Sequence, residues 1–305
     1  MKHKRKATQP IIRRNLRPLL HRQVNFFASS VPVFELAYNI FSNFAGKRNC
    51  NMVNGLWKHI IYPPKTVGEN DLSEVFSGKW VVITGASSGI GEALTLRLIR
   101  VKAKMFLIAR NEEKLKTLCD KARENGCEAR YKAIDLRQRQ ELDSWCETLR
   151  EELPNVDFLF CNAGKSIRRN IDQSIDRIHD FDRTIDLNYR SMVALSLALM
   201  PSLKRAAGRI IYTSSVSSRY PFVPGWSAYH ASKCAANAWC RTARREHKRL
   251  GVKVQIAYMP LVHTPMSAVN ETYKKLPAYS ADEGACVLLK LAMSKKFRYK
   301  PWWTP

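Results

Sequence analysis

The stretch that decides the fold is Trp80-Val-Val-Ile-Thr-Gly-Ala-Ser-Ser-Gly-Ile-Gly91. Its first five residues are mostly β-branched, which is typical of a strand buried in a parallel sheet. Apolar side chains then recur at helical spacing over residues 89–101. A strand, a glycine-rich turn and an amphipathic helix in this order predict a βα unit whose turn and helix N-terminus face a phosphate group.

Each of the three glycines in this turn has its own steric reason. Gly85 lets the chain turn sharply after the strand, Gly89 lets the backbone approach a pyrophosphate, and Gly91 lets the helix pack closely on the strand. The first N–H groups of the helix and its dipole add a partial positive charge. The sequence therefore predicts a dinucleotide-binding site at this turn. A Gly/Ser loop without a ligand is the alternative.

Strands and helices alternate along the rest of the chain. The further predicted strands cover residues 105–109, 131–134, 156–161, 209–214 and 252–258, and helices are predicted near residues 112–125, 137–152, 180–204 and 227–250. Such alternation indicates a parallel sheet whose strands are joined by right-handed crossovers. The predicted fold class is α/β, a doubly wound, Rossmann-like parallel sheet with helices on both faces, plus a basic N-terminal extension.

The chain before this sheet has a different composition. Residues 1–22 hold eight Lys or Arg and no acidic residue, and several aromatic residues follow. We predict a basic and aromatic extension over residues 1–45, a Gly- and Pro-rich linker over residues 46–78, and a dinucleotide-binding catalytic domain over residues 79–305. Three interpretations of the extension stay open: a helix on a membrane surface, an organelle-targeting peptide, and a helix packed on the main domain or on a second subunit.

Composition narrows the function classes. The 305 residues carry a formal net charge of +25 and are 45% hydrophobic, which suffices for a buried core and excludes a wholly disordered chain. No uninterrupted apolar run reaches the length of about 18 residues that a membrane-spanning helix needs. The eight cysteines include no C-x-x-C pair, so we expect no metal site and a reducing compartment. The expected location is cytoplasmic, with a peripheral position on a membrane as the alternative.

The excess of positive charge predicts an anionic partner. It favours a phosphorylated cofactor or substrate, or an anionic lipid surface, and a basic surface that only aids solubility is the alternative. Nucleic acid is not expected, because the sequence contains no helix-turn-helix, zinc-finger or RNP-like motif.

The end of the second predicted strand indicates which dinucleotide is bound. A carboxylate there would suit the ribose hydroxyls of NAD, but the sequence has Arg110-Asn111 instead. A guanidinium can hold a 2′-phosphate and stack on adenine, and Ser87 and Ser88 are nearby in the turn. We therefore predict NADP(H) in preference to NAD(H). A plain surface role for the arginine is the alternative.

A tyrosine and a lysine four residues apart, in Tyr229-His-Ala-Ser-Lys233, share one face of a predicted helix. A free phenol has a pKa near ~10, and a nearby ammonium favours the phenolate, so this pair suits proton transfer near neutral pH. Ser214-Ser215, at the end of a predicted strand, supplies a hydroxyl that can hold a substrate oxygen. These side chains are the candidate proton-transfer groups.

Taken together, the motifs resemble those of the short-chain dehydrogenase/reductase family over residues 77–291. The resemblance is carried, in the family's order, by the glycine turn, Asn162-Ala163-Gly164, Asn188, Ser215, Tyr229 and Lys233. It implies an NAD(P)-dependent enzyme whose catalytic residues are Asn188, Ser215, Tyr229 and Lys233. The candidate cofactor-binding residues are Gly85, Ser87, Ser88, Gly89, Ile90, Gly91, Arg110, Asn111, Asp135, Leu136, Asn162, Ala163, Gly164, Tyr229, Lys233, Val262 and Thr264.

The resemblance also implies particular roles. Asp135 and Leu136 would lie beside the adenine, and Thr264 would meet the cofactor phosphate. Asn188 would hold a water in a proton relay with Lys233, and this lysine would also bind the nicotinamide ribose.

Two features depart from the family pattern. Pro260-Leu261 stands where the family has Pro-Gly, and because leucine does not adopt a positive φ cheaply, we expect the loop that follows to run differently. Ser215 lies 14 residues before the tyrosine, one more than the family spacing. Ser214 and Ser217 are therefore second-choice catalytic serines.

Further stretches resemble a narrower group, the bacterial fatty acyl-CoA reductases of this family. They are Asn162-Ala-Gly-Lys-Ser-Ile-Arg-Arg169, continued by Asp176-Arg-Ile-His-Asp-Phe-Asp-Arg-Thr184, and Tyr258-Met-Pro-Leu-Val-His-Thr-Pro-Met266, where Pro-Leu is part of the pattern. The resemblance implies reduction of a long-chain acyl-CoA to an aldehyde with NADPH. The alternatives are an alcohol dehydrogenase or ketoreductase for a hydroxysteroid, retinoid-like or 3-oxoacyl substrate, and a cofactor-binding protein without catalysis.

An acyl-CoA substrate would need a basic rim and an apolar lid. The candidate phosphate-binding cations are Arg168, Arg169 and Arg183, for which ion pairs with Asp172, Asp176, Asp180 and Asp182 are the alternative. The candidate lid residues are Met266, Val269, Tyr273, Leu276 and Tyr279, for which core packing is the alternative. The chain ends soon after Trp302-Trp303, which leaves a seventh strand in doubt. Family likeness also implies a homo-oligomer through the helices near residues 180–204 and 227–250.

Overall fold

The computed structural model describes residues 58–305. Their centre is a seven-stranded parallel sheet in the order β3-β2-β1-β4-β5-β6-β7. The strands are β1 (Trp80–Thr84), β2 (Lys104–Ala109), β3 (Ala129–Ala133), β4 (Phe158–Cys161), β5 (Arg209–Ser215), β6 (Lys253–Met259) and β7 (Arg298–Tyr299). This order confirms the predicted doubly wound α/β fold.

Strand β1 lies near the middle of the sheet, and its apolar run is buried on both faces. Val81, Val82 and Ile83 have no exposed surface, and Val82 pairs in register with Phe106 of β2 and Leu159 of β4. The chain builds the sheet in one direction from β1 to β3 and in the other from β4 to β7. The crevice between the carboxyl ends of β1 and β4 is therefore the switch point at which doubly wound sheets bind ligands.

Helices cover both faces of the sheet. In chain order they are α1 (Glu69–Phe76), α2 (Gly89–Arg100), α3 (Glu112–Glu124), α4 (Arg139–Glu152), α5 (Ile178–Ile185), α6 (Ser191–Ala198), α7 (Met200–Arg205), α8 (Ser227–His247), α9 (Pro265–Ala268), α10 (Glu271–Lys275) and α11 (Ala281–Met293). One apolar core lies between the sheet and α1, α2, α3 and α11. A second lies on the opposite face, under α4, α6 and α8.

The structure differs from the single helix predicted over residues 180–204. Helix α5 gives way to a π-helical turn over Asp186–Arg190, and α6 and α7 follow. A π turn redirects the side chains that it carries, and here it carries the fully buried Asn188. Pro201 stands in the first turn of α7, where the missing N–H of proline costs nothing, so a new helix begins there.

The segment predicted as a linker, residues 46–78, contains regular structure where it is described. Helix α1 buries Leu72 and Phe76, and Tyr62 is buried as well. The composition of this segment did not indicate a helix. An eight-residue helix can pack on the core with only two apolar side chains on one face. The predictions for residues 1–45 and for the first part of the linker lie outside the described residues. No helix within residues 58–305 is long and apolar enough to span a bilayer.

The seventh strand, left in doubt by the sequence, is present as the short β7, which pairs with β6. The chain after β7 returns to the segment before α1. There the indole Nε1 atoms of Trp302 and Trp303 donate hydrogen bonds to the backbone oxygens of Ile60 and Ile61, at 2.9 and 3.2 Å. The two tryptophans thus fasten the far edge of the sheet to the beginning of the described chain.

Candidate active site

The glycine turn forms a cradle lined by backbone. Gly85 has a φ of +68° and Gly89 a φ of +56°, a region that other residues rarely adopt. A Cβ on Gly85 would lie 3.0 Å from the Cα of Ala163, and one on Gly89 would lie 3.0 Å from Cγ2 of Thr264. Ser88, the N-cap of α2, makes no side-chain capping hydrogen bond, so the first N–H groups of α2 are not used by it. This arrangement fits the pyrophosphate of a dinucleotide.

Thr84 holds the glycine turn against the end of β4. Its Oγ1 accepts hydrogen bonds from the backbone N–H groups of Asn162 and Ala163, each at 2.9 Å, and donates to the carbonyl oxygen of Phe160 at 3.3 Å. In return, Nδ2 of Asn162 donates to the carbonyl oxygen of Thr84 at 3.3 Å. The structure thus brings residues 162–164 against the predicted cofactor turn.

Three of the four predicted catalytic side chains meet at one end of the crevice. Tyr229 and Lys233 lie one turn apart on α8, and Ser215 ends β5. The Tyr229 phenol hydrogen-bonds to the Ser215 side chain, and Nζ of Lys233 lies 5.9 Å from the centre of the Tyr229 ring. Oγ of Ser215 also accepts from the backbone N–H and Oγ of Ser217, at 3.2 and 2.9 Å. The contact with the phenol favours Ser215 over Ser214 and Ser217.

Burial dominates the ionisation of the tyrosine and the lysine. Nζ of Lys233 donates to the carbonyl oxygen of Thr213 at 2.8 Å, and burial lowers the pKa of this lysine to about 7. Burial also raises the pKa of Tyr229, and the hydrogen bond from Ser215 only partly counteracts this. The sequence predicted that the ammonium would lower the phenol pKa. In this structure that effect is not seen, because desolvation opposes the charged form of both groups.

The pKa of Lys233 makes a prediction about pH dependence. Because it is lowered to about 7, the ammonium form is present below that pH and is lost as the pH rises through it. The kcat/KM for NADPH reports ionisations of the free enzyme, so we expect it to fall on the alkaline side with an apparent pKa of about 7. In Lys233→Arg the residual activity should keep its plateau to higher pH, because a guanidinium stays protonated. A profile that is flat to about pH 9 in the unmodified protein would contradict this role of the ammonium.

Asn188, the fourth predicted catalytic residue, is buried behind the crevice wall. Its Oδ1 accepts the N–H of Lys165 at 2.8 Å, and its Nδ2 donates to the carbonyl oxygen of Lys165 and to Oγ of Ser232, both at 2.9 Å. A Cβ on Gly164 would lie 3.2 Å from Oδ1 of Asn188 and 3.5 Å from Nζ of Lys233. In this structure Asn188 therefore fixes the backbone of Lys165, and the preceding Gly164 lies beside Nζ of Lys233.

A cavity of about 570 Å³ runs through the crevice from the glycine turn to α9 and α10. The predicted site residues that line it are Gly85, Ser88, Gly89, Ile90, Asn162, Ala163, Gly164, Ser215, Tyr229, Lys233, Val262 and Thr264. Those outside its lining are Ser87, Gly91, Arg110, Asn111, Asp135, Leu136 and Asn188. Beyond the tyrosine the wall is largely apolar, with Val216, Val223, Trp226, Leu261, Met266 and Tyr273.

The residues predicted to bind the adenosine half of the cofactor do not line the cavity. Arg110 is exposed, and Asn111 caps α3 by accepting a backbone N–H at 2.9 Å. Leu136 is buried in the second core, while Asp135 is hydrogen-bonded to Arg137, which lowers the pKa of the carboxyl. Arg137 is not among the residues predicted from the sequence. Its position two residues after Asp135 was the feature of the sequence that could have indicated this ion pair.

A cluster around Asp180 decides between the alternative roles of the predicted phosphate-binding arginines. This buried carboxylate accepts hydrogen bonds from Arg169 at 3.1 Å, from Arg177 at 3.0 Å and from Arg183. Burial would raise its pKa, but the three arginines lower it to about 2. Arg169 and Arg183 are therefore ion-paired. Arg168 is exposed and has no ion pair within residues 58–305.

The structure divides the predicted acyl-side lid into two groups. Met266, Val269 and Tyr273 line the cavity, and the first two are 45% and 87% exposed. Leu276 and Tyr279 do not line it, and both are buried in apolar clusters. The core-packing alternative therefore holds for these last two side chains.

The Pro-Leu departure is accommodated without a strained backbone. Among residues 58–305, Lys102 and Ala207 are the only residues other than glycine with a positive φ, so Leu261 is not in that region. Its side chain is 8% exposed, its carbonyl oxygen accepts the N–H of Tyr279 at 3.1 Å, and Val262 pairs with the same tyrosine in a parallel bridge. The loop before α9 is therefore held by the segment before α11.

Comparison with known proteins shows the family to which the chain belongs. Residues 79–275 match the sequence pattern of the short chain dehydrogenases. The chain belongs to this family. A fatty acyl-CoA reductase of Acinetobacter baylyi is 38% identical to it over 217 residues, which cover 71% of this chain and 73% of that protein. One from Mycobacterium tuberculosis is 35% identical over 226 residues, covering 74% and 77%.

Solved structures of the family share the fold. An alcohol dehydrogenase from Thermococcus sibiricus, complexed with 5-hydroxy-NADP, superposes with a TM-score of 0.62 at 26% identity, covering 74% of this chain and 98% of its own. A metagenomic short-chain oxidoreductase in complex with NADP gives the same TM-score and identity, and covers 74% and 97%. The predicted enzyme class, an oxidoreductase of the short-chain dehydrogenase family, is confirmed.

Proposed function

We propose that the protein reduces a long-chain fatty acyl-CoA to the fatty aldehyde with NADPH. The observation that carries the proposal is that the hydrogen-bonded Tyr229 and Ser215 lie in one cavity together with a glycine-lined dinucleotide cradle and a largely apolar wall. A nicotinamide at the cradle side and a lipid-like carbonyl at the apolar side would meet at these two hydroxyls. The two fatty acyl-CoA reductases at 38% and 35% identity support the choice of substrate.

The residues of the site suit the charge that this reaction develops. A dihydronicotinamide held in the glycine cradle would supply a hydride for the thioester carbon, and the carbonyl oxygen would become negative. Ser215 and Tyr229 donate hydrogen bonds to that oxygen, and each such donor contributes about 3 kcal/mol in comparable sites. Breaking the C–S bond then restores the carbonyl as an aldehyde, and the released thiolate takes a proton. Nζ of Lys233 donates to the carbonyl oxygen of Thr213 and lies 5.9 Å from the centre of the Tyr229 ring, so its protonated form would place positive charge beside the phenol.

The cofactor that we propose is NADP(H), with NAD(H) as the weaker alternative. Support comes from Arg110, which stands exposed at the end of β2 where a carboxylate would favour NAD. Asp135 is the acidic group near this position, and it is already bound by Arg137. The NADP and 5-hydroxy-NADP in the two related structures agree with this choice. The predicted homo-oligomer and the membrane contact of the extension stay predictions.

One assay tests both the substrate and the cofactor. The full-length protein is incubated with palmitoyl-CoA and either NADPH or NADH, and the absorbance at 340 nm and the free thiol are followed together. We expect one thiol released for each NADPH oxidised, and a kcat/KM for NADPH about tenfold or more above that for NADH, the size of one lost charged hydrogen bond. Loss of NADPH without thiol release, or on a ketone or aldehyde only, would replace the proposal by the alcohol dehydrogenase or ketoreductase alternative.

A further inference from the structure

Besides the catalytic Lys233, two cations that line the cavity have no carboxylate partner within residues 58–305. The side chains of Lys165 and Arg168 both border it, and neither forms an ion pair within residues 58–305. The adjacent Arg169 differs, because it shares the buried Asp180 with two other arginines. One carboxylate among three guanidinium groups cannot neutralise this region, so the cavity rim keeps an excess of positive charge.

Lys165 is fixed at its backbone while its ammonium stays available. Asn188 accepts its N–H at 2.8 Å and donates to its carbonyl oxygen at 2.9 Å. The preceding Gly164 lies beside Nζ of Lys233, so Lys165 begins next to the reaction centre. Lys165 follows Asn-Ala-Gly directly but is not among the site residues predicted from the sequence.

The surroundings of Lys165 favour an anion. Burial lowers the pKa of this lysine, and the positive charges of Arg183, Arg137 and Arg110 lower it further. Asp180 opposes this, but its effect is smaller than those of burial and the three arginines. A bound anion near Lys165 would offset this repulsion and raise the pKa of the lysine again.

Arg168 occupies the outer part of the same segment. Its Cγ would lie 3.8 Å from a Cβ on Gly225, and the N–H of Arg169 donates to the carbonyl oxygen of that glycine at 2.7 Å. The next residue, Trp226, has its ring centre 5.8 Å from that of Tyr229. Residues 165–168 therefore run along the cavity wall from the catalytic lysine to the exposed rim.

From these contacts we propose that Lys165 and Arg168 bind the phosphate groups of the coenzyme A carrier; the inference rests on the proposed reduction of an acyl-CoA. Coenzyme A carries its phosphates at the end of a flexible pantetheine arm, so they lie away from the thioester, towards solvent. An ammonium binds a phosphate as a point charge, and a guanidinium can bind it with two hydrogen bonds. This subsite would select a coenzyme A thioester over an aldehyde or a free fatty acid.

Direct binding tests the subsite without any turnover. Calorimetric titrations of the full chain with NADP⁺ present compare free coenzyme A with pantetheine, which lacks the phosphates. We expect coenzyme A to bind about tenfold or more tightly than pantetheine, and the double variant Lys165→Gln/Arg168→Gln to lose most of that difference. Arg150→Gln, at an exposed arginine of α4, is the matched control and should keep it. Equal affinity of the unmodified protein for both ligands overturns the proposal.

Kinetic measurements then show whether Lys165 binds the phosphates of coenzyme A or those of NADPH. In Lys165→Gln the ratio of kcat/KM for palmitoyl-CoA to that for S-palmitoyl-N-acetylcysteamine should fall about tenfold, and Lys165→Arg should restore it. An unchanged ratio with a raised KM for NADPH assigns the lysine to the cofactor and overturns the subsite. If coenzyme A binds as expected but neither thioester is reduced, the subsite stands and the proposed function fails.

Discussion

Replacing Tyr229 by phenylalanine should lower kcat for palmitoyl-CoA reduction by about 10²–10⁴-fold, the usual size of a lost general acid or oxyanion donor. The variant removes one oxygen and leaves the ring, whose edge-to-face contact with Trp226 at 5.8 Å needs no hydroxyl. It also releases Ser215 from its hydrogen bond with the phenol. The binding of NADPH should change little, because the cradle of β1 and α2 is built from other residues.

Steady-state and single-turnover rates measure this effect, and fluorescence titration with NADPH measures the binding. Tyr131→Phe is the matched control, because this tyrosine lies on β3 outside the cavity lining and should keep the full rate. A Tyr229→Phe protein that retains more than about a tenth of its rate would remove the phenol from the mechanism, since the loss would fall below the range of general acid catalysis.

The sequence predicted the fold well because its strongest signals are local. A strand with three consecutive fully buried residues reads as a continuous apolar run, and in a parallel sheet that pattern needs no knowledge of its neighbours. The steric demands of Gly85 and Gly89 are local as well, since they follow from the backbone of one turn. The motif order then located the ends of β4 and β5, which is why most predicted site residues line one cavity.

What the sequence could not supply depends on burial. The sequence did not distinguish Asp180 from its neighbours Asp172, Asp176 and Asp182 as a partner for the arginines. In the structure only Asp180 of these four is buried, at 2% exposure, and it forms ion pairs with three arginines. That choice is made by the packing of α5. The consequence for function is large, because it leaves Arg168 as the unpaired cation among the three predicted phosphate-binding arginines.

Burial also explains why the pKa of the Tyr229 phenol is raised, although the sequence predicted that the nearby ammonium would lower it. The sequence shows that Tyr229 and Lys233 share a helix face, but it does not show how much water reaches them. In the structure burial lowers the pKa of the lysine to about 7 and raises that of the tyrosine. A charge partner can be read from spacing, whereas desolvation is a property of the assembled core.

Among the glycines of residues 58–305, Gly91 should tolerate substitution by alanine least. Its Cβ would lie 2.1 Å from the carbonyl oxygen of Gly85 and 2.8 Å from its carbon, both backbone atoms that cannot rotate away. In an exposed helix the change from glycine to alanine would stabilise by about 0.5–1 kcal/mol. Here the helix and the turn must separate, and we expect a loss of about 3 kcal/mol, the upper end of the usual cost of overpacking.

The separation should also destroy the cradle, because moving α2 away from Gly85 displaces the N–H groups that face the cofactor phosphates. A hydrogen bond to a charged group is worth about 1.5–3 kcal/mol, so we expect NADPH affinity to fall by about 10²-fold when these N–H groups move away from the phosphates. Urea unfolding and NADPH titration measure the two effects. Gly126→Ala is the control: its φ of +76° makes alanine cost about 1 kcal/mol, but a Cβ there meets no atom within 4 Å. If both variants bind NADPH equally well, close packing of α2 on the turn is not what forms the site.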